Sequence, residues 1–345
     1  MSQTFALPHA AGEELHRITS LPVVVLSPHN RCNCRCVMCD IWKIRETREL
    51  SAADLRPHVD SFRRLNVRWI VFSGGEAQLH SDLASLTTLL RADGVHMTLL
   101  TAGLLLAEKA EETTAIFDDV IVSLDGPREV HDRIRRVPGA FERLRSGVAA
   151  LRHARAGIPV AGRCTVQKEN LGALRAVAAV ARELGLDSIS FLAADVASAA
   201  FNRPQPWTAA RQHQVSLTRN DVEALADEIE ALIAESATAS FVQERPEKLR
   251  RIVRHFRAQL GEVEPRAPRC NAPWTSTVID ANGDVRPCFF HPPIGNLGDG
   301  PLVSILNGPA ALQFRANLDI AANPVCRNCV CSLYWSDEKA AGLRP

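Results

Sequence analysis

The sequence predicts an α/β fold with a parallel, barrel-like sheet, followed by a small cysteine-rich α+β domain. Three observations carry that expectation. Short β-rich runs alternate six times with helical stretches between residues 22 and 194. Nine of the ten cysteines fall into two groups, at 32, 34, 36 and 39 and at 270, 288, 326, 329 and 331. Past Pro265 the helical rhythm gives way to prolines, glycines and short strands.

The β-rich runs lie at 23–27, 69–73, 96–101, 120–124, 160–166 and 189–192, with helical patterns near 52–65, 81–92, 104–115, 140–155 and 171–184. Each helical stretch is long enough for a crossover, so the strands should run parallel and be buried on both faces. Six units favour a barrel-like sheet over an open one, though periodicity alone does not decide between them. The rhythm then breaks. A polar, proline-containing segment over 195–217 carries Phe201, Asn202, Arg203 and Trp207. A helix over 219–235 follows, with Leu225, Ile229 and Leu232 on one face, and then a basic helix over 246–260. A hairpin is expected at 275–279 and 285–288, turning at Asn282-Gly283. The chain thus divides into an N-terminal extension (1–21), a barrel (22–194), a connector (195–265) and a cysteine-rich domain (266–345).

Hydrophobic residues make up 46% and charged residues 23% of the chain, a globular composition. A formal net charge of +1 offers no global attraction to nucleic acid or an anionic membrane, so neither is an expected partner. No 18-residue apolar run is present, and no transmembrane helix is expected. The first twenty residues are mixed and polar, a poor secretion signal, which points to a cytoplasmic location. In a reducing compartment, clustered thiolates hold metal rather than form disulfides.

The first cysteine group reads Asn30-Arg31-Cys32-Asn33-Cys34-Arg35-Cys36-Val37-Met38-Cys39-Asp40. The spacing Cys32-x3-Cys36-x2-Cys39 uses three thiolates and leaves Cys34 a bystander. Three thiolates on a four-iron cubane leave one iron open to an outside ligand, as a catalytic zinc keeps an open position. A zinc knuckle using all four cysteines is the alternative. Three further motifs stand at later strand ends: Gly74-Gly75-Glu76, Thr101-Ala102-Gly103 and Asp125-Gly126. Ligands of α/β folds sit at the C-terminal ends of the strands, so four signals converge on one rim.

These residues resemble the radical S-adenosylmethionine (SAM) superfamily, whose hallmark is CxxxCxxC after the first strand of a partial (β/α)6 TIM-like barrel. The resemblance implies a SAM-binding 4Fe–4S cluster on Cys32, Cys36 and Cys39, with Met38 at the usually aromatic position packing on adenine. Gly74, Gly75 and Glu76 resemble the GGEP motif, with Ala77 in place of proline. There the glycines would let the protein backbone approach SAM closely, and Glu76 would accept from its ammonium group. Ser123 and Asp125 of the Ser-Leu-Asp-Gly run are implied near the ribose or methionine part of SAM, and Arg135 near its carboxylate. A local helix cap is the alternative for His131, Asp132 and Arg135, and for His131 and Asp132 it reads equally well. Ala102 lacks the amide of the family's TNG turn, and Arg163, Thr165, Val166 and Asn170 lie where relatives contact adenine or substrate.

The second group resembles the SPASM/Twitch extension of the same superfamily. Five cysteines suit the one-cluster Twitch form, which implies an auxiliary 4Fe–4S cluster on Cys270, Cys288, Cys326 and Cys329, with Cys331 the spare or alternate. A zinc ribbon is the alternative. Together the resemblances imply an enzyme of natural-product or cofactor biosynthesis that cleaves SAM reductively to a 5′-deoxyadenosyl radical and abstracts hydrogen from substrate. A flavodoxin or ferredoxin would be the reductant, and the auxiliary cluster would transfer electrons. The substrate expected is a small molecule (a sugar, aminocyclitol or cofactor precursor), with a ribosomal peptide as the alternative and the 195–207 loop as a candidate substrate wall. An iron–sulfur electron carrier or sensor is the non-catalytic reading.

Overall fold

A computed structural model describes residues 16–92, 94–203, 205–236, 240–331 and 333–336. The expected N-terminal extension up to residue 15, and the chain beyond 336, lie outside the described residues.

The six β-rich runs form strands β1 (Val23–Leu26), β2 (Trp69–Phe72), β3 (His96–Thr101), β4 (Asp119–Ser123), β5 (Val160–Val166) and β6 (Ser188–Ala193). Each pairs in parallel with the next, so the sheet winds in one direction. Single winding with right-handed crossovers puts the helices on one face. Side chains alternate accordingly. Leu26, Phe72, Leu99, Val122, Cys164 and Phe191 join one apolar core with the helical residues Leu86, Leu144 and Val177. Cys164 is thus a small core residue.

The other face is more polar. Trp69 donates from Nε1 to Thr98 Oγ1 at 2.8 Å, and Arg163 from Nε to Ser190 Oγ at 3.3 Å. Ser123, Arg163, Thr165 and Leu192 remain half-buried there. Burial on both faces, expected from parallel pairing, is therefore less complete on this side, where Val23, Thr98 and Ile121 are nonetheless buried. The sheet does not close on itself.

Local chemistry sets the helix limits. The stretch expected over 52–65 breaks at Pro57 into Ala52–Leu55, a 3-10 turn at Arg56–His58 and Val59–Arg64. Ser51 and Asp54 form a capping box at its start. The stretch expected over 104–115 yields a helix only at Ala110–Ile116. The helices Arg219–Ser236 and Pro246–Gln259 flank a segment that covers the β6 edge. There Ile189 exchanges backbone hydrogen bonds with Phe241 and Gln243.

The cysteine-rich region departs most from expectation. Strands β7 (Ser276–Ile279), β8 (Asp284–Arg286) and β9 (Gly295–Asn296) build no separate sheet. β7 pairs in parallel with all four residues of β1, giving the order β6-β5-β4-β3-β2-β1-β7-β8-β9. The β7–β8 turn is a type I turn closed by Gly283 N–H on the Asp280 carbonyl (2.8 Å), with Gly283 itself at φ 84°. That left-handed residue is where such loops want glycine.

Candidate active site

The loop after β1 carries the first cysteine group over the C-terminal end of the sheet. Its backbone is fastened from three sides. Arg35 and Val37 donate N–H to the carbonyls of Arg135 and Ile134, each at 3.0 Å, and Glu76 donates N–H to the Arg31 carbonyl at 2.8 Å. Gly75 lies directly beneath: a Cβ there would stand 2.2 Å from the Arg31 carbonyl oxygen. Gly74, at φ 103°, would place a Cβ 2.9 Å from the His29 carbonyl oxygen. Both glycines therefore allow the close approach of the cysteine loop to the end of the second strand. Gly75→Ala is expected to shift that loop, costing about 1–3 kcal/mol as an overpacked contact. Chemical denaturation and a lowered iron content after reconstitution check this.

Cys34, Cys36 and Ala102 form a small buried cluster, with Cys32, Met38 and Cys39 packed against it. Their sulfurs have the donors a thiolate needs. Cys32 Sγ accepts from the Cys34 N–H and Cys39 Sγ from the Ile41 N–H, both at 3.4 Å, and Arg135 Nη1 lies 3.5 Å from Cys36 Sγ. Hydrogen bonds to sulfur are among the levers that set iron–sulfur potentials. The Cys36 thiol is brought down to about 7 by a hydrogen bond from Cys34 and, against the cost of burial, by the Arg135 charge. Hydrogen bonds with Cys32 and Cys36 raise the Cys34 thiol, while burial pushes Cys39 up to about 12. In the metal-free protein Cys34 and Cys39 stay protonated, and metal binding releases their protons only where they ligate.

Arg135 also meets Asp125, Nη2 to Oδ2 at 2.5 Å; the two side chains are 8% and 0% exposed. Asp125 Oδ1 accepts from the Thr165 N–H at 2.9 Å, and Asn170 Nδ2 donates to the Asp125 carbonyl at 2.9 Å. Asp125 and Arg135 thus face each other, and Arg135 also faces Cys36. An ion pair so deep persists because each member cancels the other's desolvation.

Glu76, 1% exposed, accepts from the N–H groups of Ala102 (2.9 Å) and Gln78 (3.3 Å). Burial raises its pKa against those bonds. Its carboxylate ties the second strand's loop to the third. Ser123 sits half-buried on the inner face, in register with Arg163. His131 Nδ1 accepts from the Asp125 N–H, and Asp132 accepts from Gly139 and Phe141 N–H at the start of helix Ala140–Ala154. For Asp132 the capping reading is the one observed.

The second group converges too. Cys270, Cys288, Cys326 and Cys329 line one cavity with Phe290 and His291. Cys331 is exposed and outside that lining. Cys270 Sγ accepts from the Ala272 N–H at 3.4 Å. Burial raises all four thiols, Cys288 to about 12 and Cys326 to about 11. Buried His291 places Nε2 3.4 Å from Cys326 Sγ, a partner the spacing of cysteines does not reveal.

The sequence pattern of the radical SAM superfamily matches residues 26–181, and that of SPASM, an iron–sulfur cluster-binding domain, matches residues 270–330. Fe-coproporphyrin III synthase of Methanosarcina barkeri is 32% identical over 49% of this chain and 43% of its own length. PqqA peptide cyclase of Gluconobacter oxydans is 33% identical over 45% of this chain and 44% of its own. The chain therefore aligns with less than half the length of either relative. Streptococcus suis SuiB, solved with its precursor peptide SuiA, superposes with a TM-score of 0.65 at 14% identity over 97% of this chain and 79% of SuiB. That likeness shows the fold, a partial barrel whose sheet stays open. The chain belongs to the radical SAM superfamily, as an enzyme with 4Fe–4S clusters, SAM as cofactor and a C-terminal SPASM domain.

Proposed function

We propose that Cys32, Cys36 and Cys39 hold the SAM-binding 4Fe–4S cluster, and that Cys270, Cys288, Cys326 and Cys329 hold an auxiliary 4Fe–4S cluster with an electron-transfer role. One observation carries the first assignment: the buried Asp125–Arg135 pair spends a guanidinium nitrogen on Cys36 Sγ, 3.5 Å away. With SAM bound, and with an electron from a flavodoxin or ferredoxin, that cluster would supply the 5′-deoxyadenosyl radical chemistry for hydrogen abstraction from a substrate C–H bond. This chain's own residues position and shield. Arg135 holds Cys36 as thiolate, Met38 offers an apolar surface beside Cys39, and the inner sheet face receives substrate away from bulk water.

The substrate we favour is a small molecule with an anionic group, of the cofactor-precursor kind. Arg163 supports this. Its guanidinium is half-buried on the inner face, it bonds Ser190 only through Nε, and among the described residues it forms no ion pair within 4.0 Å. Burial lowers its pKa, so an anionic ligand there gains from a poorly solvated cation. A relative named for coproporphyrin chemistry points the same way; one named for peptide cyclisation keeps a peptide substrate as the second reading.

The test is anaerobic reconstitution, then reduction with SAM. About eight irons per chain, four for each cluster, and formation of 5′-deoxyadenosine are expected. A protein with that iron that never cleaves SAM contradicts the reading in favour of an electron carrier. For the second site, Cys329→Ser should leave about four irons, whereas Cys331→Ser should keep the full content. An iron assay distinguishes the two, and equal losses would make Cys331 a ligand.

A further inference from the structure

The segment that follows β6 was expected to wall the substrate, or to be a surface connection. It also packs on the first cysteine loop. Residues 195–203 and 205–211 lie against the first cysteine loop and grip it on both sides of Cys39. Arg203, 3% exposed, donates from Nη2 to the Met38 carbonyl at 3.2 Å and from Nη1 to Asp195 Oδ2 at 2.9 Å. Trp207, 9% exposed, donates from Nε1 to Asp40 Oδ2 at 2.6 Å. Asn202 Nδ2 donates to the Asp40 carbonyl at 3.1 Å, and Arg211 Nη2 to the Val37 carbonyl at 2.5 Å. The guanidinium groups of Arg203 and Arg211 both lie over the Trp207 ring, at 4.1 and 4.2 Å from its centre. The Met38 side chain packs with Trp207, Ala194, Val196 and Val215.

The same segment pays in backbone strain to reach this position. Phe201 and Asn202 are consecutive non-glycine residues at φ 61° and 62°. Asparagine tolerates that region, but a bulky aromatic does not adopt it without compensation. The compensation lies across the molecule. The Phe201 ring packs against Phe289 at 4.9 Å with the two planes tilted by 54°, and meets Phe290, which lines the second cysteine cavity, edge-on at 6.3 Å.

Resting on the ligand assignment above, we propose that this segment is a strap that fixes Cys39, with Arg203, Trp207 and Asn202 as positioning residues for the SAM-binding cluster. Three sulfurs define where the open iron stands. A carbonyl pinned just before Cys39, and a side chain and carbonyl pinned just after it, hold one of those three corners. Partners outside the ligand set commonly govern affinity at metal centres in this way.

The test uses two mild variants of the whole reconstituted chain. Trp207→Phe keeps an aromatic ring beneath the guanidinium groups and removes the N–H bond to Asp40. Asn202→Gly relaxes the positive φ and removes the bond to the Asp40 carbonyl. Each should keep wild-type iron content and thermal stability yet weaken SAM binding about 10-fold, as loss of an outer partner does. Binding is read from the change that SAM causes in the reduced cluster's electron paramagnetic resonance (EPR) spectrum. SAM affinity and spectra unchanged in both variants would overturn the strap. So would parallel loss of iron from both clusters, which marks a general folding defect. Wild-type protein that holds its iron but ignores SAM overturns the ligand assignment and the strap with it, and is distinguishable because no affinity exists for the variants to lose.

Discussion

Cys36→Ala is expected to leave about four irons per chain, all in the C-terminal domain, and to abolish 5′-deoxyadenosine formation. Cys36 is the sulfur with least freedom. Its neighbours Arg35 and Val37 are hydrogen-bonded to the Arg135 and Ile134 carbonyls, and Arg135 lies over its thiol. No shift of the loop can bring another donor to that corner without breaking those bonds. Cys34, buried in the same cluster, is the natural rival. Cys34→Ala should retain the full iron content and SAM cleavage, so iron assay of the two variants separates ligand from bystander. Full iron content in Cys36→Ala would show that Cys34 serves instead.

Asp125→Ala should destabilise the metal-free protein by about 3–5 kcal/mol, because it strands a buried Arg135 without its counter-charge. Urea unfolding measures this directly. The double variant Asp125→Leu with Arg135→Met removes both charges and should recover most of that stability, since apolar residues of similar volume often replace buried ion pairs at little cost. It should not recover the first cluster, because Cys36 then lacks the cation that favours its thiolate. Stability restored together with SAM cleavage would show that the pair serves the fold alone.

The six parallel strands were legible because their β-branched runs are short, bounded and evenly interrupted by helical stretches. The cysteine spacing was legible because a three-thiolate motif constrains the chain locally. Other features depend on bonds between residues far apart in sequence. β7 reads as half of a hairpin from Asn282-Gly283, and nothing local says that its other edge joins β1, some 250 residues earlier. Glu76, Asp125 and Arg135 were read outward, toward a cofactor, because their motifs sit at strand ends. Their bonds to Ala102, Thr165 and Cys36 join residues far apart in the chain, which the motifs do not reveal. In a dry site the nearest N–H or sulfur claims a buried carboxylate or guanidinium first. The strap was read as polar loop because Arg203, Asn202 and Trp207 look solvent-directed until their partners at Met38 and Asp40 are known.

The most direct test of this reading follows the EPR signal of the reduced Cys270→Ser/Cys329→Ser protein, in which only the first cluster remains, as SAM is added. An iron left open among Cys32, Cys36 and Cys39 should bind SAM and shift the signal in a saturable way. A spectrum indifferent to saturating SAM, from a fully loaded cluster, would contradict it.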